Sequence, residues 1–310
     1  MSVPVTVVGE ALIDIVIPPS GDAVEHAGGS PLNVAIGLAR LGHDTRLATH
    51  VGTDARGRRI ADLVNGEGIT LLPGSTDAAR TATAAAHLDR AGVATYEFDF
   101  GWELDPGSVP TGDGAHLHVG SISATTEPGS GAVLDVVRAA RASATVSYDP
   151  NARPSLMGDP ADARVVIERL IGLADVVKAS DEDVRWLYPG TPVPQVLAHW
   201  ASLGPALCAV TQGGEEAIVL AAGELQRFPT LPSAVVDTVG AGDSFMAGLL
   251  SGLLDASLLG DAAARERLRF AEWPVLAAAV DRALACAAIT VSRAGANPPH
   301  RVDLDIDIEG

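Results

Sequence analysis

Lysine is nearly absent from this chain. Of its 21 lysines and arginines, only Lys178 is a lysine, and the formal net charge over 310 residues is −18. That balance argues against general binding to nucleic acid or to anionic membranes, whose phosphates call for clustered basic side chains. It leaves small substrates open, because a local site can oppose the overall sign. Cysteine is scarce too: Cys208 and Cys286 are the 2 present, both in apolar surroundings. That excludes a disulfide framework and leads us to expect buried free thiols in a reducing, cytoplasmic setting. No apolar run approaches the roughly 18 uncharged residues of a membrane span. Residues 1–10 have no basic region ahead of their apolar residues and turn polar at once, which reads as a first strand rather than a signal peptide. No His/Cys cluster has metal-ligand spacing, and His116 and His118, alternating along a strand, read as structural. There is no internal repeat, low-complexity tract or obvious linker. What is present, 47% hydrophobic residues, is enough for one sizeable core with a small appended subdomain.

Apolar strand-like runs alternate with helical patterns for most of the length. After a first strand at 3–8, the sequence predicts a helix over 31–41, which Ser30 can cap, Pro31 suits in its first turn and Gly42 can close. Strands at 44–51, 115–120, 145–148, 175–178 and 207–211 are interleaved with helices at 56–65, 132–142, 161–173 and 193–203. This alternation predicts an α/β fold with a largely parallel central sheet. Two stretches, 11–27 and 80–102, carry strand-like segments without helices between them. Within the second, Tyr96, Phe98, Phe100 and Trp102 recur at period two and would share one face of a strand. Such a face belongs either to a sheet edge packed on the core or to a small antiparallel lid over a site. Residues 214–229 read as a hairpin, and from 233 onward the chain turns mainly helical, most clearly at 241–254 and 274–292.

The most informative stretch is Val235-Val236-Asp237-Thr238-Val239-Gly240-Ala241-Gly242-Asp243-Ser244-Phe245. A short apolar strand runs into a glycine-containing turn, and an apolar helix follows. Unpaired N–H groups and the positive end of the dipole at a helix N-terminus suit a phosphate, and glycine lets the backbone come close to it. The spacing is not that of a Walker A loop, no lysine follows, and the full Gly-x-Gly-x-x-Gly pattern is lacking. Asp243 is the odd member, because a carboxylate beside a bound phosphate repels it. It either complements the helix dipole or acts as a general base that takes the proton of an attacking hydroxyl. In the second case the N–H groups of Gly240, Ala241 and Gly242 would stabilise charge on a transferred phosphoryl group.

Residues 237–249 match the C-terminal Asp-Thr-x-Gly-Ala-Gly-Asp signature of the ribokinase-like (PfkB) carbohydrate kinases, and the chain resembles that family along nearly its whole length. Gly28-Gly29-Ser30-Pro31-Leu32-Asn33-Val34-Ala35 looks like the family's Gly-Gly-x-x-x-Asn-x-Ala element. Val51-Gly52-Thr53-Asp54 with Gly57 looks like its Val-Gly-x-Asp-x-x-Gly loop. Asp149-Pro150-Asn151-Ala152-Arg153 is similar to the Asp-x-Asn-x-Arg element of fructokinases and 2-keto-3-deoxygluconate kinases. Lys178-Ala179-Ser180-Asp181-Glu182-Asp183 resembles the Asn-x-x-Glu element, with Ser180 in place of Asn and the shorter Asp183 in place of Glu. Thr211-Gln212-Gly213-Gly214-Glu215-Glu216 resembles the nucleotide loop Thr-x-Gly-x-x-Gly, except that Glu216 stands where the last Gly is expected.

The resemblance implies a ribokinase-like three-layer αβα domain over 1–310, with a mostly parallel central sheet and a small antiparallel β lid from about 11–27 and 80–103. It implies an ATP-dependent sugar kinase with Asp243 as general base and a charge-stabilising turn at Gly240, Ala241 and Gly242. Asp14, Gly28, Gly29, Asn33, Arg153 and the lid residue Phe98 would hold the sugar. Ser180, Thr211, Gly213, Gly214, Gly242 and Gly295 would hold ATP. Asp183 and Glu182 would organise Mg2+ through water, and Asp237 with the Val239 carbonyl would border a monovalent-cation (K+) site. With no P-loop lysine, phosphate charge is expected to be met by arginine, backbone N–H groups and Mg2+. Fructose is the first choice of acceptor, with ribose, 2-keto-3-deoxygluconate and nucleosides as alternatives. The partners expected are a small sugar and, through the lid, a second copy of the chain, with no nucleic acid or membrane. Two other classes compete. A non-catalytic sugar-binding regulator on the same fold has no use for an intact Asp243 turn, and a dinucleotide oxidoreductase needs a Gly-x-Gly-x-x-Gly that Val7-Val8-Gly9-Glu10-Ala11 lacks.

Overall fold

A computed structural model describes residues 3–19, 21–88, 94–112 and 114–304. In chain order the first elements are β1 (Val5–Val8), β2 (Leu12–Ile17), β3 (Val24–Gly28), α1 (Ser30–Arg40), β4 (Thr45–Ala48), α2 (Ala55–Gly66), β5 (Thr70–Leu71), β6 (Thr83–Leu88) and β7 (Ala94–Asp99). Next come β8 (His116–Gly120), α3 (Gly129–Ala140), β9 (Thr145–Asp149), α4 (Pro154–Met157), α5 (Pro160–Ile171), β10 (Val176–Ser180), α6 (Asp181–Leu187) and α7 (Val193–Leu203). The chain continues through β11 (Leu207–Thr211), β12 (Glu216–Ala221), β13 (Glu224–Pro229), α8 (Ala241–Asp255), α9 (Ala262–Arg269), α10 (Trp273–Val291) and α11 (Arg301–Leu304). The expected alternation is therefore present, with boundaries shifted by a few residues.

Nine strands form the large sheet in the order β13-β12-β11-β10-β9-β8-β1-β4-β5. From β5 to β11 every neighbouring pair is parallel, and the β11–β12 and β12–β13 pairs are antiparallel. Successive side chains of a strand point to opposite faces, so strands covered on both faces read as continuous apolar runs. In β11, Leu207 and Ala209 enter the core built with α1, α8 and α10, while Cys208 and Val210 enter the core built with α3, α5 and α7. Both cysteines are free and buried. The helix α10 is long and apolar enough to span a membrane by length and composition, with mean hydropathy 1.6. Here it buries Leu276, Ala279, Val280 and Ala283 in the same core as α8, and Asp281 and Arg282 interrupt it.

The second sheet has the order β3-β2-β6-β7 and is antiparallel except for its central β2–β6 pair. That pair runs parallel because β3, α1, β4, α2 and β5 intervene between its strands, a crossover rather than a hairpin. Ser20 and residues 89–93 of the expected lid segments lie outside the described residues, as does the side chain of Tyr96. The period-two aromatic row runs past its strand. β7 ends at Asp99, Phe98 packs with Leu12, Ala84 and Ile122, and Phe100 packs both there and against the core that buries Trp102. The row outruns its strand, so the pleat no longer sets its direction.

Candidate active site

The site is built where the C-terminal ends of the central strands meet the N-termini of α1 and α8, the usual place for ligands in open α/β sheets. Gly240 opens α8 in a left-handed conformation, φ 76°, and a Cβ there would lie 2.6 Å from the Ala296 side chain. Glycine is therefore required both by the turn and by the close approach of the 293–297 loop. Asp237 clasps the same loop: its carboxylate accepts the Gly295 N–H at 2.9 Å and the Val239 N–H at 3.0 Å. These backbone hydrogen bonds, Val239 first, hold its carboxyl below the ordinary range. A monovalent cation at Asp237 and the Val239 carbonyl would share the Asp237 carboxylate, whose two oxygens are already engaged in this clasp.

Asp243 stands in the first turn of α8 and is buried. Ser30 Oγ donates to its Oδ1 at 2.7 Å, and Asn33 Nδ2 donates to its Oδ2 at 2.8 Å. Residues three apart share a helix face, so both α1 side chains reach one carboxylate. The expected cap role of Ser30 is not used. Gly29 takes the cap position with φ 114°, and Ser30 becomes the first helical residue with its hydroxyl on Asp243. The Ala241 N–H turns back to the Thr238 carbonyl at 3.3 Å, so it is not among the open donors. Among the described residues no acceptor meets the N–H of Gly240, Gly242 or Asp243. An anion at this helix end would find three N–H groups and the dipole of a fifteen-residue helix.

Asp14 lies on β2, and a Cβ on Gly28 would sit 1.9 Å from its Oδ2. Gly28 thus leaves the space that the Asp14 carboxylate occupies, and Gly29 passes over the Glu10 carbonyl, 2.5 Å from where its own Cβ would be. Burial raises the Asp14 carboxyl above its ordinary range, and Asp243 adds to this, against the lowering by Arg153 and His26. Asp14, Asp243 and Arg153 therefore share one electrostatic environment. The Arg153 guanidinium donates to Asn151 Oδ1 at 2.8 Å and to the Asn151 and Ala152 carbonyls. Phe98 of the small sheet and Leu156 and Met157 of α4 pack against the same apolar cluster of Leu12, Ala82, Ala84 and Ile122, which ties the small sheet to the turn that carries Arg153.

The β10–α6 corner is more structural than its motif implies. Ser180 and Asp183 form a reciprocal capping box. Asp183 accepts Ser180 N–H and Oγ, both at 2.8 Å, and its other oxygen accepts the Ala152 N–H at 2.6 Å. Asp183 is buried, while Glu182 beside it is exposed. Among the described residues no group of three His, Cys, Asp or Glu side chains could hold a metal. That donor set fits a divalent ion carried in on nucleotide phosphates and met through water, the habit of Mg2+. Thr211 ends β11 with its hydroxyl 3.5 Å from the Ala179 carbonyl, and Gly213 and Gly214 follow with open space at their Cα atoms. The carbonyl of Gly214 accepts Thr230 Oγ at 2.7 Å. Glu216, which stands in place of a glycine, begins β12 and pairs with Arg227 across the hairpin.

Lys178, for which the sequence assigned no role, is the group that reasoning missed. Its Nζ lies 2.9 Å from where a Gly242 Cβ would be and donates to Asp149 Oδ2 at 2.8 Å. Sheet order brings β10 under α8, so the chain's one lysine stands beside the glycine turn, which spacing along the chain does not reveal. Burial works to strip the Lys178 proton, but Asp149, Asp243 and Asp183 hold the ammonium above the ordinary lysine range. Burial pushes the Asp149 carboxyl up to about 6 even with the ammonium beside it. Behind this pair, His116 contacts Thr145 and Ser147, and His118 contacts Ser147. Burial drives both imidazoles down to about 3, so they are neutral, as a structural role requires.

Comparison with known proteins gives the family. The model of the pfkB family of carbohydrate kinases matches residues 4–302. The fructokinase of Klebsiella pneumoniae is 36% identical over 257 residues, covering 80% of this chain and 83% of that one. The fructokinase of Vibrio cholerae O395, solved with fructose, ADP and calcium ion, superposes with TM-score 0.84 at 26% identity over 98% of each chain. The aminoimidazole riboside kinase of Salmonella enterica, solved with aminoimidazole riboside and an ATP analog, has TM-score 0.82 at 26% identity, covering 97% of this chain and 98% of that one. With the family model spanning nearly all of its length, this chain belongs to the pfkB family of carbohydrate kinases.

Proposed function

We propose that this enzyme transfers the γ-phosphoryl group of ATP to a primary hydroxyl of fructose. The observation that carries the reading is the buried Asp243 carboxylate, oriented by Ser30 and Asn33 and set beside open N–H groups of α8. A carboxylate in a phosphate cradle makes chemical sense where a hydroxyl must lose its proton. Asp14, Asn33 and Arg153 hold the sugar hydroxyls, and Phe98 covers the apolar side of the ring. Asp243 accepts the hydroxyl proton as the oxygen attacks the γ-phosphorus in line, and ADP leaves with the electron pair of the broken P–O bond. The N–H groups of Gly240, Gly242 and Asp243 meet the charge on the transferred group. ATP lies over Ser180, Thr211, Gly213, Gly214 and Gly295. Mg2+, when bound, neutralises β- and γ-phosphate oxygens, with Glu182 and Asp183 meeting its waters, and K+ is assigned to Asp237 and Val239. The small sheet acts as a lid that excludes water during transfer, and its edge strands β3 and β7 offer the pairing surface of a homodimer. Two buried free thiols fit a cytoplasmic protein.

The Vibrio cholerae fructokinase supports fructose as acceptor, and the aminoimidazole riboside kinase keeps a riboside as the second choice. A coupled ADP-release assay over fructose, ribose, 2-keto-3-deoxygluconate, tagatose and nucleosides tests the choice, with the highest kcat/KM expected for fructose. Asp243→Asn should lower kcat about 10²–10⁴-fold, the usual contribution of a general base, with fructose affinity by calorimetry little changed. Turnover within a few-fold of wild type would remove Asp243 from the mechanism.

A further inference from the structure

From the geometry we infer that Lys178 is a catalytic residue, its ammonium donating to an oxygen of the phosphoryl group in transit above Gly242. This rests on the phosphoryl-transfer reading and adds to it a fixed cation from the protein itself. Three observations meet here. The ammonium occupies the space beside Gly242 that any side chain at that position would need, 2.9 Å from the missing Cβ. Its side chain is 5% exposed, and among the described residues it has one hydrogen-bond partner, Asp149 at 2.8 Å. An ammonium has three donors, so two remain for a ligand at the turn. The Gly242 and Asp243 N–H groups, also without acceptors among the described residues, open at the same helix end.

Asp149 aims the ammonium. It is fully buried at the end of β9, on the neighbouring strand, and its other oxygen accepts the Asn151 N–H at 3.2 Å. In the reaction the acceptor oxygen bonds to phosphorus as the bond to the β-phosphate oxygen breaks. The hydroxyl proton goes to Asp243, and Lys178 keeps its own proton throughout. The ammonium faces three carboxylates, Asp149, Asp183 and Asp243, of which only Asp149 is within hydrogen-bond distance. An incoming phosphate therefore meets a fixed ammonium with two donors still open among the described residues.

The rival account is that Lys178 merely neutralises Asp149. Lys178→Met alone leaves a buried carboxylate without its partner and can fail for that reason. The deciding variant is Asp149→Asn combined with Lys178→Met, which removes both charges at nearly constant volume. If Lys178 only balances Asp149, this double variant works better than either single one and approaches wild-type turnover. If Lys178 meets the phosphoryl group, the double variant binds fructose as wild type does, melts as a folded protein, and loses about 10²–10³-fold in kcat, the loss typical of one oxyanion donor. Its affinity for MgADP with aluminium fluoride in the presence of fructose falls by a similar factor. A double variant within tenfold of wild-type kcat overturns the inference.

The chain's single lysine gives a second readout that does not depend on turnover. Protein labelled with 13C,15N-lysine carries one side-chain ammonium signal. That signal should shift on addition of MgATP, and further with MgADP, aluminium fluoride and fructose. If wild type phosphorylates no sugar, the kinase reading fails, and a MgATP-dependent shift still supports the contact. A signal unmoved by any of these additions defeats the contact even where turnover is normal.

Discussion

The Ser30 hydroxyl donates to Asp243 Oδ1 at 2.7 Å across 213 residues of sequence, so the N-terminal turn of α1 holds the carboxylate that opens α8. Asn33, three residues further along α1, fixes the other oxygen. With both oxygens anchored from one side, the carboxylate cannot swing out of the direction in which a hydroxyl approaches. Ser30→Ala should therefore lower kcat. A hydrogen bond to a charged group contributes about 1.5–3 kcal/mol, which corresponds to a loss of about 10–100-fold. Adding Asn33→Ala should cost less than the product of the two single effects, because both bonds orient one group. Coupled ADP-release kinetics on the three variants measures this, and strictly multiplicative losses would mean that the two bonds act independently.

Gly28 and Asp14 make a prediction about the acceptor rather than about chemistry. A methyl at Gly28 would fall 1.9 Å from Asp14 Oδ2, so Gly28→Ala must displace that carboxylate. If Asp14 accepts hydrogen bonds from sugar hydroxyls, the variant loses at least one charge-assisted contact. KM for the sugar should rise about tenfold or more, while KM for ATP changes far less. Equal increases in both constants would assign the damage to the fold rather than to a sugar contact.

The large sheet was legible because its strands are covered on both faces, which leaves continuous apolar runs such as 207–211 between helix-period segments. The glycine turn was legible because a positive φ at Gly240 and a carboxylate at Asp243 are both written in the local sequence. The parallel β2–β6 pairing was not, since strand direction depends on where the intervening crossover returns. Nor was the position of Lys178. Its neighbours Ser180 and Asp183 carry a local capping pattern, but its contact with Gly242 arises from the order of β9 and β10 under α8. Ser30 was misread for a related reason. A serine before a proline at a helix start is the usual sign of a cap, and only the distant Asp243 gives its hydroxyl a better acceptor.

Glu10 supplies a prediction about stability. It is buried, and its Oε2 accepts the Ser123 N–H at 3.2 Å. Burial, only partly opposed by these hydrogen bonds, pushes its carboxyl from the ordinary 4.5 up to about 7. The folded chain then holds a proton that the unfolded chain releases between those two values. Below pH 4.5 both states are protonated and the contribution of this group is complete. It declines as pH rises, by about 1.4 kcal/mol per pH unit, and is lost above pH 7, for a total of about 3 kcal/mol. Glu10→Gln mimics the protonated form at every pH and removes this slope. Urea unfolding of both proteins at pH 5 and pH 8 separates it from other titrations. The stability of the variant relative to wild type should rise toward pH 8 by an amount on the order of 3 kcal/mol. A difference independent of pH would mean that Glu10 is charged in the folded protein across this range.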